Sequence, residues 1–246
     1  MDHQNYVTMA EVQDRHWWFR GRRAILLRLI STLALPDHPQ ILDVGCGTGA
    51  NLPVLSEFGQ VWGMDNNEFA LQTVRKKSDV IVAHGSLPGT IPFADQRFHL
   101  ITLLDVLAEI KSDREAIAAL SRRMLPGGWL VITAPAFDFL WSSHDVMSHH
   151  HRRYTASQLV SSLTAAGLEV HFSTYFNMFL FVPIFVIRLM KRWLHLFPGD
   201  DSGAVPPGPI NNALFSLFKL EGHVIGRGKA LPFGVSVLVV ARKPEK

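Results

Sequence analysis

Two segments of the sequence carry residue types whose spacing could do chemistry. In the first, "ILDVGCGTGA" at residues 41–50, three glycines follow a short apolar run: Gly45, Gly47 and Gly49. Without side chains, such residues let the backbone turn tightly and approach a ligand at the start of the next helix. The pattern predicts a loop that binds a nucleotide-containing cofactor.

Two carboxylates near this loop bear on which cofactor it binds. Asp65 ends the next apolar run, "VWGMD", 20 residues after Gly45, where a carboxylate can accept hydrogen bonds from both ribose hydroxyls. Gly45, Gly47 and Ala50 also satisfy the G-x-G-x-x-G/A pattern of dinucleotide-binding oxidoreductases, so that alternative stays open. Asp43 favours a cationic cofactor over an anionic pyrophosphate. S-adenosylmethionine, which carries an ammonium and a sulfonium, fits better than a dinucleotide.

The second segment, residues 144–155 or "HDVMSHHHRRYT", concentrates histidine and arginine. Because neutral imidazole can take up a proton near pH 7, we consider these side chains as candidate general bases: His144, His149, His150 and Tyr154. Arg152 and Arg153 could clamp a phosphate or carboxylate. Consecutive histidines on an extended loop point in alternate directions, so we expect no bound metal. The alternative is structural, with the histidines capping helices and packing around Trp141 and Tyr154.

From residue 41 onward, short apolar runs alternate with helical patterns. The strand-like runs are "QILDVG", "QVWGMD", "DVIVAHG", "FHLITLLD" and "GWLVITAP". This alternation predicts a doubly wound α/β fold, in which crossover helices connect parallel strands. Further strands are predicted in "LEVHFSTYF" and "FGVSVLVVARK", and helices before residue 41. Thr155 and Gln158 are typical of a helix start, which places the histidines on the preceding loop.

In order and at matching intervals, four segments resemble the class I S-adenosylmethionine-dependent methyltransferases, in particular the methyltransferase type 11-like group. They are "LDVGCGTG", "GMD", "IPFADQRFHLITLLDVL" and "RRMLPGGWLVITAP", all within residues 41–136. The resemblance implies a Rossmann-like, seven-stranded, mostly parallel sheet whose last strand is antiparallel. It also implies a set of cofactor contacts. These are Asp43, Gly45 and Gly47 for the methionine part, Gly49 in the same loop, Asp65 for the ribose, Asn66, Ser86 and Leu87 for the adenine, and Asp105 and Val106 beneath the sulfonium.

Two departures from the group's pattern bear on activity. Ser86 stands where an aspartate often reads the adenine amino group, and Ala108 and Glu109 stand where a Glu-His pair is common. A non-catalytic binding module with a methyltransferase fold, tethered to a membrane or a partner, is therefore a second hypothesis. A dinucleotide-dependent oxidoreductase is the third.

Some bacterial members of this group resemble the chain more closely, sharing "H-W-W-F-R-x-R-R" and "H-x-R-R-Y" segments. Here the first spans His16–Arg23. By this resemblance, the two segments form the two sides of a pocket for the methyl acceptor. The residues implied to bind the methyl acceptor are His16, Trp17, Trp18, Arg20, Arg152 and Arg153.

The sequence argues against two classes of methyl acceptor. Carbon-5 methylation of pyrimidines needs a cysteine nucleophile, and the single cysteine, Cys46, lies in the glycine loop. The chain has no Asn/Asp-Pro-Pro-aromatic motif after the fourth strand and no long basic arm, so we expect no nucleic-acid substrate. One cysteine also precludes an intrachain disulfide, and the first residues lack a secretory pattern, so we expect a cytoplasmic protein.

Residues 176–197, "FNMFLFVPIFVIRLMKRWLHLF", form an unusual apolar segment. Its uninterrupted apolar part is about 12 residues long, short of the roughly 20 that span a bilayer. Four basic residues fall on one predicted helix face beside Trp193 and Phe197: Arg188, Lys191, Arg192 and His195. This arrangement is typical of a helix at a membrane interface. A second apolar-faced helix is predicted over residues 210–226. The alternative is that both helices pack on the domain or against a second subunit.

Together these patterns predict one domain over residues 1–246. Its parts are an N-terminal helical cap (1–40), a cofactor-binding core (41–175), an apolar helical insertion that could contact a membrane (176–230) and the last strand (231–246). The predicted function is O-methylation, in preference to N-methylation, of a small hydrophobic or lipid-linked acceptor at the inner face of the membrane. The sequence leaves the methyl acceptor's identity and the oligomeric state open.

Overall fold

A computed structural model describes residues 3–194 and 204–245. In this part of the chain, seven strands form one sheet in the order β3-β2-β1-β4-β5-β7-β6. The strands are β1 (Gln40–Val44), β2 (Gln60–Asp65), β3 (Ile81–His84), β4 (Phe98–Leu104), β5 (Met124–Pro135), β6 (Glu169–Phe176) and β7 (Ser236–Arg242). Neighbours from β3 to β5 pair in parallel, and β7 runs antiparallel to both β5 and β6. The predicted α/β fold is confirmed, including its antiparallel last strand.

Helices cover both faces of the sheet, which is why most residues of the central strands are apolar. The helices are α1 (His3–Val12), α2 (Trp17–Ile30), α3 (Leu52–Ser56), α4 (Glu68–Lys77), α5 (Asp113–Arg123), α6 (Ser143–Met147), α7 (Ala156–Ala165), α8 (Phe181–Leu194) and α9 (Gly208–Ile225). One apolar layer includes Ile117 of α5 and Leu163 of α7. The other includes Ile25 of α2 and Phe218 of α9. As predicted, Thr155 and Gln158 cap the start of α7.

The second apolar helix, α9, packs on α2 instead of presenting its whole apolar face outward. Phe218 and Ile225 are buried on this side. Gly21 of α2 permits the close approach, because a Cβ atom there would collide with the Phe218 ring. This face of α9 therefore packs on the domain, which was the alternative to contact with a membrane.

A buried carboxylate fixes how the chain leaves β6 and enters α8. Glu221 of α9 accepts hydrogen bonds from the backbone N–H groups of Asn177, Met178 and Phe179 at 2.5, 2.8 and 3.1 Å. Three N–H groups that no helix or strand bond would satisfy are thereby paired. The contact joins α9 to the start of α8 and so sets the position of α8 relative to the sheet.

Helix α8 has an apolar outer side and one inward-pointing arginine. Val182, Val186 and Met190, one turn apart, are 44–61% exposed; we call them the apolar face of α8. Arg188 points the other way and donates from Nη1 to the carbonyl oxygen of Leu140 at 2.7 Å. The predicted surface stripe is therefore wrong for Arg188, because tertiary packing places this side of α8 against Leu140.

The structure does not describe the other side chains of the predicted basic stripe or the two aromatic side chains beside it. His195 and Phe197 lie outside the described residues, as do the side chains of Lys191, Arg192 and Trp193. Over residues 3–194 and 204–245, no helix is both long enough and apolar enough to cross a bilayer.

Candidate cofactor and methyl-acceptor site

A cavity of about 580 Å³ lies at the carboxyl ends of the parallel strands. It is lined by the loops after β1, β2 and β4, by α1 and α2, and by residues around the histidine segment. Strand β1 lies between β2 and β4 in the sheet. The connection after β1 leads to β2 on one side, whereas β4 lies on the other side, and a crevice opens where the strand order reverses. Eight of the predicted cofactor residues line it: Gly45, Gly47, Asp65, Asn66, Ser86, Leu87, Asp105 and Val106.

The glycine loop follows β1 with left-handed backbone at Gly45 (φ 71°) and Gly47 (φ 54°). A side chain at Gly45 would also collide with Val106. The Gly45 N–H donates to the carbonyl oxygen of Met64 at 2.7 Å, which ties the loop to the end of β2. Gly49 shares the left-handed backbone but does not line the cavity.

Asp65, at the end of β2, is buried and accepts three hydrogen bonds. Its carboxylate accepts hydrogen bonds from the N–H groups of Gly47 and Asn67, each at 2.9 Å, and from the hydroxyl of Tyr6 at 3.1 Å. Burial and the neighbouring Asp65 raise the pKa of Tyr6, so its hydroxyl stays protonated and donates. Tyr6 belongs to α1, and no spacing in the sequence relates it to the glycine loop.

Asp43 lies behind the cavity wall and is fully buried. Its Oδ1 accepts a hydrogen bond from the Thr102 hydroxyl at 2.7 Å, whereas Oδ2 has no hydrogen-bond partner among the described residues. Burial raises the pKa of Asp43 to about 6. A buried carboxylate oxygen without a donor fits a ligand that brings a positive charge or an N–H group. S-adenosylmethionine meets that requirement, and a pyrophosphate does not.

We expect the affinity for S-adenosylmethionine to fall as the pH drops from about 7 to 5. Because the pKa of Asp43 is raised to about 6, its carboxyl is neutral below that pH, and a bound cation must drive its ionisation. The dissociation constant should rise about tenfold per pH unit below the pKa. Calorimetric titrations at several pH values measure this slope. Asp43→Asn should flatten the profile, and a pH-independent wild-type affinity would contradict the assignment.

Asp105, in the loop after β4, forms the floor of the cavity and pairs with Arg22 of α2. Asp105 has a φ of 64°, which residues other than glycine adopt mainly where their surroundings require it. Arg22 also lies over the Trp18 ring, 4.7 Å from its centroid. Sequence reasoning missed Arg22, although Trp18 and Arg22 are one helical turn apart and therefore share a face.

Of the four methyl-acceptor residues predicted in the N-terminal segment, Trp18 alone lines the cavity. His16 caps α2 by accepting a hydrogen bond from the Trp18 N–H. Trp17 packs on Phe218, and Arg20 donates to Asn212, so both face α9. The structure thus corrects the placement of His16, Trp17 and Arg20, because successive residues of a helix point in different directions.

In the histidine segment, His144, His149 and His150 all line the cavity. His150 Nδ1 lies 2.9 Å from Oδ1 of Asp145, a fully buried carboxylate. Burial would raise the pKa of Asp145, but hydrogen bonds from His150 and Arg153 outweigh it and hold that pKa well below the usual range. An ionised Asp145 has no proton to give, so Nδ1 donates and the Nε2 lone pair of His150 remains available.

Arg152 and Tyr154 face away from this cavity. The chain here runs beside the end of β5, with a bridge between Ala136 and Tyr154, so successive side chains point to opposite sides. Tyr154 donates to Asp113 at 2.8 Å and Arg152 pairs with the same carboxylate at 3.1 Å, both at a separate surface pocket. The structure therefore removes Tyr154 from the candidate bases and Arg152 from the anion clamp.

Arg153 lines the cavity, but its two terminal nitrogens donate to the protein itself. Its Nη2 donates to Asp145 at 2.8 Å and its Nη1 to the carbonyl oxygen of Ala136 at 2.9 Å. It holds Asp145 in place under His150 instead of clamping an anion. Over residues 3–194 and 204–245, no three His, Cys, Asp or Glu side chains converge as metal ligands would.

Comparison with known proteins identifies related sequences and folds. Residues 17–172, more than half of the chain, match a family described as a methyltransferase domain. The demethylmenaquinone methyltransferase of Tropheryma whipplei is 30% identical over 134 residues, which cover 53% of this chain and 52% of that protein. The chain thus spans about half the length of that relative.

Two further likenesses have wider coverage. The dTDP-3-amino-3,4,6-trideoxy-alpha-D-glucopyranose N,N-dimethyltransferase of Streptomyces venezuelae is 26% identical over 180 residues, covering 68% of this chain and 76% of that protein. A solved S-adenosylmethionine-dependent methyltransferase of Clostridium acetobutylicum has a TM-score of 0.60 at 11% identity, with 91% of each chain covered. Because the sequence identity is only 11%, this structural similarity supports the fold and not a shared function.

Proposed function

The chain belongs to the S-adenosylmethionine-dependent methyltransferase family, and from this premise we propose that it O-methylates a small hydrophobic or lipid-linked acceptor. The observation that carries the proposal is one cavity with two chemically different walls. The glycine loop and Asp65 form one wall, and His150, held by buried Asp145, lies in the other. Methyl transfer needs a bound donor, and transfer to a hydroxyl oxygen is assisted by a group that takes the proton of that hydroxyl.

On the donor side, S-adenosylmethionine would supply an electrophilic methyl group when bound. Gly45 and Gly47 let the backbone approach it, Asp65 accepts from the ribose hydroxyls, and Asp43 balances its positive charge. The remaining contacts are kept as proposed from the sequence: Asn66, Ser86 and Leu87 for adenine, with Asp105 and Val106 beneath the sulfonium.

On the methyl-acceptor side, His150 is the proposed base. Its Nε2 takes the proton of a hydroxyl group as the oxygen becomes the nucleophile, and ionised Asp145 stabilises the resulting imidazolium. A neutral amine already offers a lone pair before it loses a proton, so a positioned base favours oxygen over nitrogen. Trp18 and Phe19 contribute apolar cavity walls that suit a hydrophobic methyl acceptor.

Exposed apolar residues beside this wall support a membrane-peripheral location at the cytoplasmic face. Phe139 packs on Phe185 of α8 with ring centroids 5.8 Å apart. Trp141 and Val146, which flank His144, are also exposed. The apolar face of α8 and these residues border the region from which a lipid-linked methyl acceptor would enter. The named relatives act on a quinone precursor and on a nucleotide-linked amino sugar, so they leave the methyl acceptor's class open.

Calorimetry and label transfer together test the proposed function. S-adenosylmethionine and S-adenosylhomocysteine should bind, whereas NADH should not. With methyl-labelled S-adenosylmethionine and a lipid extract, the protein should produce a labelled organic-soluble product. Binding of NADH alone would overturn the cofactor assignment. Cofactor binding without a labelled product from lipid or aqueous extracts would favour the non-catalytic binding module.

For the membrane location, we expect the protein to float with anionic phospholipid vesicles. Replacing Val182, Val186 and Met190 together with glutamine should lower the vesicle-bound fraction at least about tenfold, because apolar side chains would no longer enter the interface. Flotation in a density gradient measures the bound fraction.

The control changes Ile81 of β3, an apolar residue that is 51% exposed and lies outside residues 176–230, to glutamine. This control should float like the wild type. If the wild type stays at the bottom of the gradient, or if the triple variant of α8 floats like the wild type, the apolar face of α8 is not the membrane contact.

A further inference from the structure

Arg188 brings a positive charge into the cavity from α8. Its guanidinium lines the cavity and makes one hydrogen bond among the described residues, from Nη1 to the carbonyl oxygen of Leu140 at 2.7 Å. No carboxylate of residues 3–194 or 204–245 lies within ion-pair distance of it. The remaining N–H groups of the guanidinium are therefore available to a ligand.

The other two arginines of the cavity wall are already neutralised. Arg22 pairs with Asp105, and Arg153 pairs with Asp145 at 2.8 Å. Burial and the charge of Arg153 lower the pKa of Arg188 to about 10, which still leaves it protonated at neutral pH. A partly buried cation without a counter-ion is costly, and an anionic ligand would relieve that cost.

The position of Arg188 assigns it to the methyl-acceptor wall. Leu140, its hydrogen-bond partner, lies just before α6, the helix that carries His144. Its charged neighbours are Arg153 and Asp145, the residues that hold His150. The glycine loop and Asp65 belong to the opposite wall, formed by the loops after β1 and β2.

We propose that Arg188 binds an anionic group, a carboxylate or a phosphate, on the methyl acceptor itself. The inference rests on the proposed function and narrows its substrate class from hydrophobic molecules to amphiphiles with one negative group. A guanidinium suits either anion because two of its N–H groups can donate in parallel to two oxygens. The same helix then presents Arg188 inward to the anion and its apolar face outward to the lipid part.

The test compares charged and neutral probes on protein saturated with S-adenosylhomocysteine. Benzoate is compared with benzamide, and phenyl phosphate with phenol, by calorimetric titration. In the wild type, at least one anion should bind about tenfold or more tightly than its neutral counterpart. A preference confined to benzoate identifies a carboxylate site, and one confined to phenyl phosphate identifies a phosphate site.

Three variants assign any preference to Arg188. Arg188→Gln, which removes the charge, should abolish the preference, whereas Arg188→Lys should keep part of it. Arg152→Gln is the matched control, because Arg152 is an arginine of the same region that faces the separate pocket beside Asp113. It should leave the preference within about twofold of the wild type, a shift well below 1 kcal/mol.

Several outcomes would overturn the inference. Equal binding of charged and neutral probes by the wild type does so without any variant, as does an Arg188→Gln protein that keeps the preference. A tenfold loss of S-adenosylhomocysteine affinity in Arg188→Gln would assign Arg188 to the cofactor instead. If the wild type does not bind S-adenosylhomocysteine at all, the proposed function itself fails, and the two failures are thereby distinguished.

Discussion

Replacing His150 with alanine is expected to lower the rate of methyl transfer by about 10²–10⁴-fold. The loss follows from the geometry, since Asp145 fixes the His150 ring with Nδ1 donating at 2.9 Å and leaves Nε2 as the proton-accepting atom. Affinity for S-adenosylmethionine should stay within about twofold, because His150 belongs to the methyl-acceptor wall and not to the glycine loop. Label transfer to the extract measures the rate, and calorimetry measures the affinity.

The neighbouring histidines provide the comparison for this prediction. His144→Ala and His149→Ala also change cavity-lining imidazoles, but neither should reduce the rate by more than about tenfold if His150 is the base. A larger loss in either of them than in His150→Ala would move the role of base to that residue. Full activity of all three variants would support the structural interpretation of the segment.

Asp145 is proposed to position His150, so its variant should behave differently from that of a merely structural residue. In Asp145→Asn, the side-chain amide can donate to Nδ1, which favours the wrong tautomer of His150. We expect a lower kcat, little change in KM and an altered pH profile of the rate. A variant whose only defect is a lower melting temperature, with kcat and its pH profile intact, would limit Asp145 to stabilising the loop.

Replacing Asp65 with asparagine is expected to weaken S-adenosylmethionine binding by about 10–100-fold. The neutral amide of asparagine would no longer make the charge-assisted hydrogen bonds with the ribose hydroxyls, each worth about 1.5–3 kcal/mol. It also holds the Gly47 N–H at 2.9 Å, so the glycine loop would be less well positioned. Calorimetry measures the loss, and at saturating cofactor the rate should recover most of its wild-type value.

S-adenosylhomocysteine separates the two ways in which Asp65 could act. The product has the same ribose but no sulfonium charge, so a ribose contact predicts equal losses for both ligands. A loss confined to S-adenosylmethionine would instead indicate attraction to the sulfonium. Glu68→Gln is the matched control, because this exposed carboxylate at the start of α4 pairs with Arg75 and should not affect either ligand. Unchanged affinity in Asp65→Asn would remove the ribose assignment.

The fold was predictable because its signals are local. Each parallel strand is a short run of apolar residues between helical patterns, and Thr155 with Gln158 marks a helix start by side-chain hydrogen bonds within one turn. The glycine loop was equally predictable, since left-handed backbone at Gly45 and Gly47 restricts which residues can stand there. The resemblance to the methyltransferases depends on these same segments.

The methyl-acceptor side was only partly predictable. The resemblance in the "H-W-W-F-R-x-R-R" segment selected Trp17 and Arg20 together with Trp18, although rotation along α2 turns the first two toward α9 and brings Arg22 into the cavity. Helical periodicity applied to this segment could have found Arg22. Nothing local could have found Tyr6, whose partner Asp65 lies 59 residues away along the chain.

By itself, the sequence determined the strands, the glycine loop and the cofactor class of this protein, because periodicity, backbone conformation and charge beside the loop act over a few residues. Only the tertiary structure decided which polar side chains meet in the cavity. Arg153 and Tyr154 are adjacent in the chain, yet one holds Asp145 beneath His150 and the other faces a separate pocket. Arg188 likewise reaches the cavity because Glu221 and Leu140 position α8. Such contacts join distant segments, and their geometry follows from packing of the whole chain.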